Sequence, residues 1–228
     1  MADKRFSGKY ISILGDSLST LCGYQPSEYP AFYGGADGGE NGISAPQDMW
    51  WGQVIDRLGG ELLVNNSYSG CLVCRHPECT IPSFGCSDER TGGLCAGGVM
   101  PDVIFVWMGL NDCGYGMQAE PGNEREEYDL SVFSVAYRTM LKKLRRLYPN
   151  AVVYCLTLPA TGSAAEAREA RLSAYNRGIA ASAAACGCRV IALHRLCRGY
   201  AAADGLHPTA GGMRTIAAAV LSEMEGGQ

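Results

Sequence analysis

The sequence predicts an α/β fold, with a mostly parallel five-stranded sheet covered by helices on both faces. Three observations carry this. Short apolar runs rich in β-branched residues alternate along the chain with longer segments of helical period, the pattern of strands linked by crossover helices. Several of these runs stop abruptly at Gly, Asn, Asp or Ser, as strands do where a covered sheet presents its carboxyl ends. The 228 residues, 47% hydrophobic and 18% charged, suit one domain of ordinary size with a sizeable core rather than a disordered chain.

The first strand is Tyr10-Ile11-Ser12-Ile13-Leu14, and it ends in Gly15-Asp16-Ser17. In open α/β sheets ligands bind beyond the carboxyl ends of strands, so Ser17 is a candidate nucleophile. Residues 19–46, rich in Gly, Pro and Tyr, form a long loop without a period, a kind that often carries function. Ser44-Ala45-Pro46-Gln47 has capping-box spacing and an early proline, so a helix starts there. Trp50, Trp51, Val54, Ile55 and Leu58 follow at helical spacing, and Gly59-Gly60 ends the segment. The two tryptophans are expected in the core. Glu61 to Asn65 is the second strand, running into Asn66-Ser67-Tyr68-Ser69-Gly70. Residues 71–98 are a Cys- and Gly-rich stretch with too few apolar residues for a core of its own. It is expected to be a loop insertion within a single domain spanning 1–228.

Val103 to Trp107 lies at the heart of the most apolar strand, Asp102 to Met108, which ends in Gly109-Leu110-Asn111-Asp112. A loop continues to about Asp129, and a helix spans 130–148 with Phe133, Ala136, Tyr137, Met140, Leu144 and Leu147 as its apolar stripe. Lys142, Lys143, Arg145 and Arg146 lie off that stripe and read as a solvated face. Ala151 to Leu158 is the fourth strand, closed by Pro159. Ser163 and Glu166 are spaced as a capping box for an Ala-rich helix that buries Leu172, Tyr175, Ile179, Ala183 and Cys186. Cys188 to Leu193 is the fifth strand, 194–203 is irregular, and a last helix runs from Thr209 to Met224. Right-handed crossovers leave few topologies, and the flavodoxin-like order 2-1-3-4-5 is the one expected.

A net charge of -4 argues against nucleic acid as a partner, since such binders usually carry a basic face. No apolar stretch approaches the roughly 18 residues of a membrane span. Met1 to Lys9 lacks the pattern of a secretory leader, so the expected location is cytoplasmic. The eleven cysteines are then expected as reduced, structural thiols.

A serine hydroxyl needs an adjacent base, and histidine is the usual one. There are three: His76, His194 and His207. His207 is preferred, because it sits in Asp204-Gly205-Leu206-His207-Pro208, where Asp204 can reach one imidazole nitrogen and fix its tautomer. An acyl-transfer site also needs donors for the developing oxyanion. Gly70 offers a backbone N–H and Asn111 a side-chain amide. Taken singly, each is ordinary turn chemistry.

Taken together, Gly15-Asp16-Ser17-Leu18, Asn66-Ser67-Tyr68-Ser69-Gly70, Gly109-Leu110-Asn111-Asp112 and Asp204-Gly205-Leu206-His207-Pro208 resemble the four sequence blocks of the SGNH (GDSL-type) serine hydrolases. They stand in that family's order and span residues 10–224. The resemblance implies a three-layer α/β/α sandwich, with Ser17 as nucleophile and His207 and Asp204 as its partners. It implies an oxyanion hole made by the backbone N–H groups of Ser17 and Gly70 and the side chain of Asn111. Asp16 and Asp112 match positions that hold loop geometry. The substrate would be a small-molecule ester, with no metal or cofactor required. The G-x-S-x-G elbow of the other large serine-esterase fold is absent.

The implied activity is hydrolysis of a carboxylic ester through an acyl-enzyme, with an O-acetyl group on a carbohydrate as the leading substrate class. Lysophospholipase or thioesterase action is the alternative on the same fold. Cys22 and Cys71 lie close in sequence to Ser17 and Gly70, but a nucleophilic thiol needs an electropositive setting that the sequence does not display. A reading of another class is a zinc-stapled or redox-active Cys-rich module. Cys71-Leu72-Val73-Cys74, His76, Cys79, Cys86 and Cys95 supply the residue types, without the spacing of paired C-x-x-C knuckles. Gly114-Tyr115-Gly116 partly fits a dinucleotide fingerprint, yet Pro121-Gly122 stands where a helix should follow. The loops 19–46, 71–98 and 113–129 surround Ser17 and are expected to select the substrate.

Overall fold

Strands β1 (Tyr10–Gly15), β2 (Glu61–Ser67), β3 (Val103–Trp107), β4 (Val152–Leu156) and β5 (Arg189–Ile191) pair in parallel in the order 2-1-3-4-5. This is the predicted order. The computed structural model describes residues 5–34, 41–77, 84–123, 128–160, 165–197 and 199–226. Central β3 is buried at every position, whereas edge strands β2 and β5 begin exposed. The unbroken apolar run in β3 follows from this, because a central strand covered on both faces has no solvent side.

Helices cover both faces. The principal ones are α1 (Trp50–Leu58) and α7 (Ala210–Gly226), which pack on each other, and α4 (Phe133–Leu147) and α5 (Ala165–Ala185), which form a second pair. The α1 stripe is buried as its spacing predicts. Trp50 stands edge-on to Phe105 and Trp107 of β3, with ring centroids 5.9 and 5.6 Å apart, a geometry that adds about 0.5–1.5 kcal/mol per pair beyond area burial. Gly59, at φ 73°, ends α1 in a left-handed cap. The start of α1 differs in detail from the expectation. Pro46–Asp48 is a 3-10 turn, and its cap is the Asp48 carboxylate, which accepts from the N–H groups of Ser44 and Ala45. In α4 the stripe is buried through Leu144, while Leu147 is exposed. Ser163 lies outside the described residues, and Glu166 is in the first turn of α5.

Three short helices were not legible in the sequence pattern: α2 (Asp88–Gly92), α3 (Leu110–Gly114) and α6 (Leu193–Leu196). Each is too short to display a helical period. Helix α6 cuts the fifth strand short, and Thr157 holds it through the N–H and Nδ1 of His194. Helix α2 changes the reading of the 71–98 stretch. Its Ser87 hydroxyl caps the Arg90 N–H, and Cys71, Leu72, Val73, Cys74, Cys86 and Leu94 are buried, so much of the stretch is core rather than surface loop. No helix among the described residues is long and apolar enough to cross a membrane.

Candidate active site

The parallel register sets the site. Gly15 is level with Ser67 on one side and Trp107 on the other, so the chains leaving β1, β2 and β3 begin their turns at one height. Ser17, Gly70 and Asn111 lie a few residues past that level. Gly15 must be glycine: an added Cβ would stand 2.7 Å from both Ser19 Cβ and Ser67 Oγ. Ser17–Ser19 is a single 3-10 turn, with Asp16 as its cap accepting from the Leu18 N–H at 3.1 Å. Ser19 anchors the turn. Its carbonyl accepts from Trp51 Nε1 and Asn65 Nδ2, and its hydroxyl accepts from Trp50 Nε1. The tryptophans are therefore core residues that also fix the Ser17 turn.

His207 Nε2 lies 2.9 Å from Ser17 Oγ, and His207 Nδ1 lies 2.7 Å from Asp204 Oδ2. The other carboxylate oxygen of Asp204 accepts from the N–H groups of Leu206 and His207. Burial works to raise the Asp204 pKa, but the His207 backbone and side-chain hydrogen bonds and the Leu206 N–H outweigh it and hold the carboxyl at about 2. An ionised carboxylate only accepts, so Nδ1 carries a hydrogen and Nε2 is left to accept from the Ser17 hydroxyl. The turn is tied down by Tyr33 Oη donating to the Pro208 carbonyl and Tyr200 Oη donating to the Leu206 carbonyl. Phe32 stacks flat on the imidazole, with centroids 3.6 Å apart and planes at 10°. Thr20 sets that stack, since its hydroxyl donates to the Ser17 carbonyl and accepts from the Phe32 N–H.

The opposite wall comes from the ends of β2 and β3. Tyr68 N–H donates to the Gly15 carbonyl, and Gly70 follows with φ 80°. The Ser69 and Cys71 N–H groups bond Pro30 and Tyr68, whereas the Gly70 N–H has no acceptor among the described residues. Gly109, at φ 127° and with a tight fit for any Cβ beside Phe133, turns the chain from β3 into α3. There Asn111 Nδ2 donates to the Cys71 carbonyl at 3.0 Å. Buried Asp112 accepts from the N–H groups of Val73 and Cys74. These adjacent residues thus staple the end of β3 to the segment that follows Gly70. Burial pushes the Asp112 carboxyl up, against the Val73 and Cys74 hydrogen bonds.

One residue of this wall had no flag in the sequence. Arg90 of α2 is fully buried, and its guanidinium donates to Asn66 Oδ1, Cys71 Sγ and the carbonyls of Gly15 and Asn66. Asn66 in turn donates to the carbonyls of Arg90 and Gly93. Only the helix-start pattern Ser87-Asp88-Glu89 hinted at an element here; nothing local predicts that the arginine turns inward. Asp16 is also fully buried, and burial pushes its carboxyl up to about 7, against the Leu18 hydrogen bond, with Asp112 adding to the rise and Arg90 opposing it.

The other two histidines lie apart from this chain of contacts, whereas Cys71 is part of it. His194 bonds Thr157, and His76 packs near Tyr115. Cys22 is exposed. Burial pushes the Cys71 thiol up to about 12, the reverse of what a nucleophilic thiolate requires. Among the described residues no group of three His, Cys, Asp or Glu side chains is placed to hold a metal, and Cys79 lies outside them.

Comparisons with known proteins bear on the family and the fold. The model of the family described as GDSL-like lipase/acylhydrolase matches residues 9–224. A search of curated proteins finds no match. Among solved structures, a protein described as a GDSL-like lipase from Bacteroides ovatus is similar at 27% identity, covering 95% of this chain and 98% of that one, with a TM-score of 0.75. An acetyl xylan esterase from Geobacillus stearothermophilus is similar at 19% identity, with 97% and 96% coverage and a TM-score of 0.63. A carbohydrate acetylesterase from Sinorhizobium meliloti is similar at 14% identity, with 95% and 98% coverage and a TM-score of 0.65.

Proposed function

The chain belongs to the GDSL-like lipase/acylhydrolase family, and we propose that it is a serine esterase that removes a small O-acyl group, acetyl foremost, from a carbohydrate. The observation that carries this reading is the contact of Ser17 Oγ with His207 Nε2 at 2.9 Å while Asp204 holds Nδ1. His207 takes the Ser17 proton as Oγ forms a bond to the ester carbonyl carbon. The carbonyl oxygen becomes an oxyanion, and the N–H groups of Ser17 and Gly70 and the Asn111 amide receive it. One Nδ2 hydrogen of Asn111 is committed to Cys71, which orients the amide and leaves its second hydrogen for the oxyanion. The carbon–oxygen bond to the alcohol then breaks, and the alcohol leaves with the proton from His207. Water, deprotonated by the same imidazole, attacks the acyl-enzyme and releases the carboxylic acid.

The acetyl-carbohydrate assignment is supported by the named activities of two structural neighbours, acetyl xylan and carbohydrate ester cleavage. Phe32, 36% exposed beside His207, offers apolar surface to the leaving alcohol. The test compares wild type and Ser17→Ala on p-nitrophenyl acetate, on a long-chain p-nitrophenyl ester and on acetylated xylo-oligosaccharide. The substitution is expected to lower turnover by at least about 10³-fold with an unchanged circular-dichroism spectrum. Wild-type turnover in that variant would overturn the mechanism. A wild-type preference for the long chain would overturn the substrate class.

A further inference from the structure

We propose that Arg90 is the positioning residue of the oxyanion wall, a role resting on the assignment of Ser17, Gly70 and Asn111 made above. Its guanidinium touches three separate stretches of chain. It donates to the Gly15 carbonyl, two residues before Ser17, at 2.8 Å. It donates to Asn66, at the end of β2, through Nε at 2.9 Å and Nη2 at 2.8 Å. It donates to Cys71 Sγ at 2.8 Å, and the carbonyl of that same Cys71 receives the Asn111 amide. One planar fork therefore spans the segment that carries the nucleophile and the chain on both sides of Gly70, and it reaches Asn111 through Cys71.

The surroundings of the guanidinium favour positioning over charge pairing. Arg90 is fully buried, yet among the described residues no carboxylate forms an ion pair with it. Its partners are backbone carbonyls, an amide oxygen and a sulfur, with the rings of Tyr29 and Tyr68 at 5.6 and 6.0 Å. A buried cation is costly to leave uncompensated, and here directional acceptors and aromatic faces supply the compensation. Those acceptors fix the geometry of the fork, because a guanidinium presents its donors in a rigid plane. The arginine is delivered by the 71–98 stretch, so this stretch contributes to the inner wall of the site.

The test is a cycle of Arg90→Lys with Asn111→Ala, read on p-nitrophenyl acetate, with melting temperatures recorded and Ser17→Ala assayed in parallel. Lysine keeps the charge and loses the fork. In the otherwise wild-type protein, kcat should fall about tenfold to a hundredfold with KM within about twofold, since small misplacements of oxyanion donors cost that much. In the Asn111→Ala background the same substitution should cost clearly less than in the otherwise wild-type protein, because one of the donors it positions is gone. An unchanged kcat, or an equal loss in both backgrounds, overturns the proposal. If Arg90→Lys does not fold, Cys71→Ala enters the same cycle; it deletes only the sulfur acceptor, and the same less-than-additive pattern is expected, with additivity or no loss again decisive against. Retained turnover in Ser17→Ala would instead sink the esterase mechanism, so the two failures are separable.

Discussion

The two sides of the Ser17 site are built on opposite physical terms. On the proposed oxyanion side, Asp16, Arg90, Asn66 and Asp112 are all buried; Arg90, Asn66 and Asp112 are bonded to backbone groups from distant segments, and Asp16 to Leu18 in its own turn. On the base side, the Asp204 side chain is 49% exposed, and it is bonded within its own turn to Leu206 and His207. The two aspartates record the difference. Burial pushes Asp16 up to about 7, whereas hydrogen bonds, winning over burial, hold Asp204 at about 2. A wall assembled from remote segments needs buried polar cross-links to hold its geometry. In the proposed mechanism His207 cycles between neutral and charged forms, and an ionised carboxylate on Nδ1 holds its tautomer and stabilises the charged form.

Replacing Asp16 tests the contrast most strongly. Its folded value near 7 lies above its reference value of 3.8, so between about pH 4 and 7 the folded chain keeps a proton that the unfolded chain releases. Stability contributed by this group therefore falls as pH rises through that window and is level above it. Asp204 has the opposite sign: what it contributes is present above about pH 4 and is lost as pH falls toward 2, and its exposure keeps that contribution small. Asp16→Asn keeps an oxygen for the Leu18 N–H and removes the titration. It should flatten the melting-temperature profile between pH 4 and 7 and stabilise the protein at pH 8 by roughly 2–4 kcal/mol. A profile parallel to wild type would show that buried Asp16 does not titrate in this range.

Asn111→Ala tests the oxyanion wall directly. It removes the side chain that both bonds the Cys71 carbonyl and, in the proposed mechanism, meets the oxyanion. Loss of one such donor costs about a hundredfold in turnover, and the loss should fall on kcat with KM within about twofold. An unchanged kcat would take Asn111 out of the hole and leave it a staple for the Gly70 segment.

The strand ends and the Asp204–His207 turn were legible because their chemistry is local. A Gly-Asp-Ser after an apolar run, a Gly-Leu-Asn-Asp after another, and an Asp three residues before a His need only the chain's own backbone to meet. The strand order followed from alternation and the crossover rule. Arg90 was not legible: its acceptors lie 19 to 75 residues away in sequence, and an arginine in a Cys- and Gly-rich stretch reads as surface. Nor was the burial of Cys71 to Cys74, which follows from the Asp112 staple across 38 residues or more. In the long loop 19–46, Leu21, Tyr29, Tyr33 and Ile43 are buried without any period, since an irregular backbone gives its apolar residues no fixed spacing.

Phe32, like its neighbour Tyr33, comes to the base side from a distant segment, and it gives the mildest of the tests. Its ring lies parallel to His207 at 3.6 Å, and its 36% exposure means that core burial is not what holds it there. Thr20 holds its backbone instead, through the N–H. An aromatic contact of this kind contributes about 0.5–1.5 kcal/mol. Phe32→Leu keeps apolar volume and removes the flat face, so kcat/KM on p-nitrophenyl acetate should fall about threefold to tenfold. That is well below the loss expected for Asn111→Ala, as befits a side of the site that its own turn already holds. A loss equal to that of Asn111→Ala would reverse the contrast and make the aromatic lid, rather than the Asp204 turn, the element that fixes the imidazole.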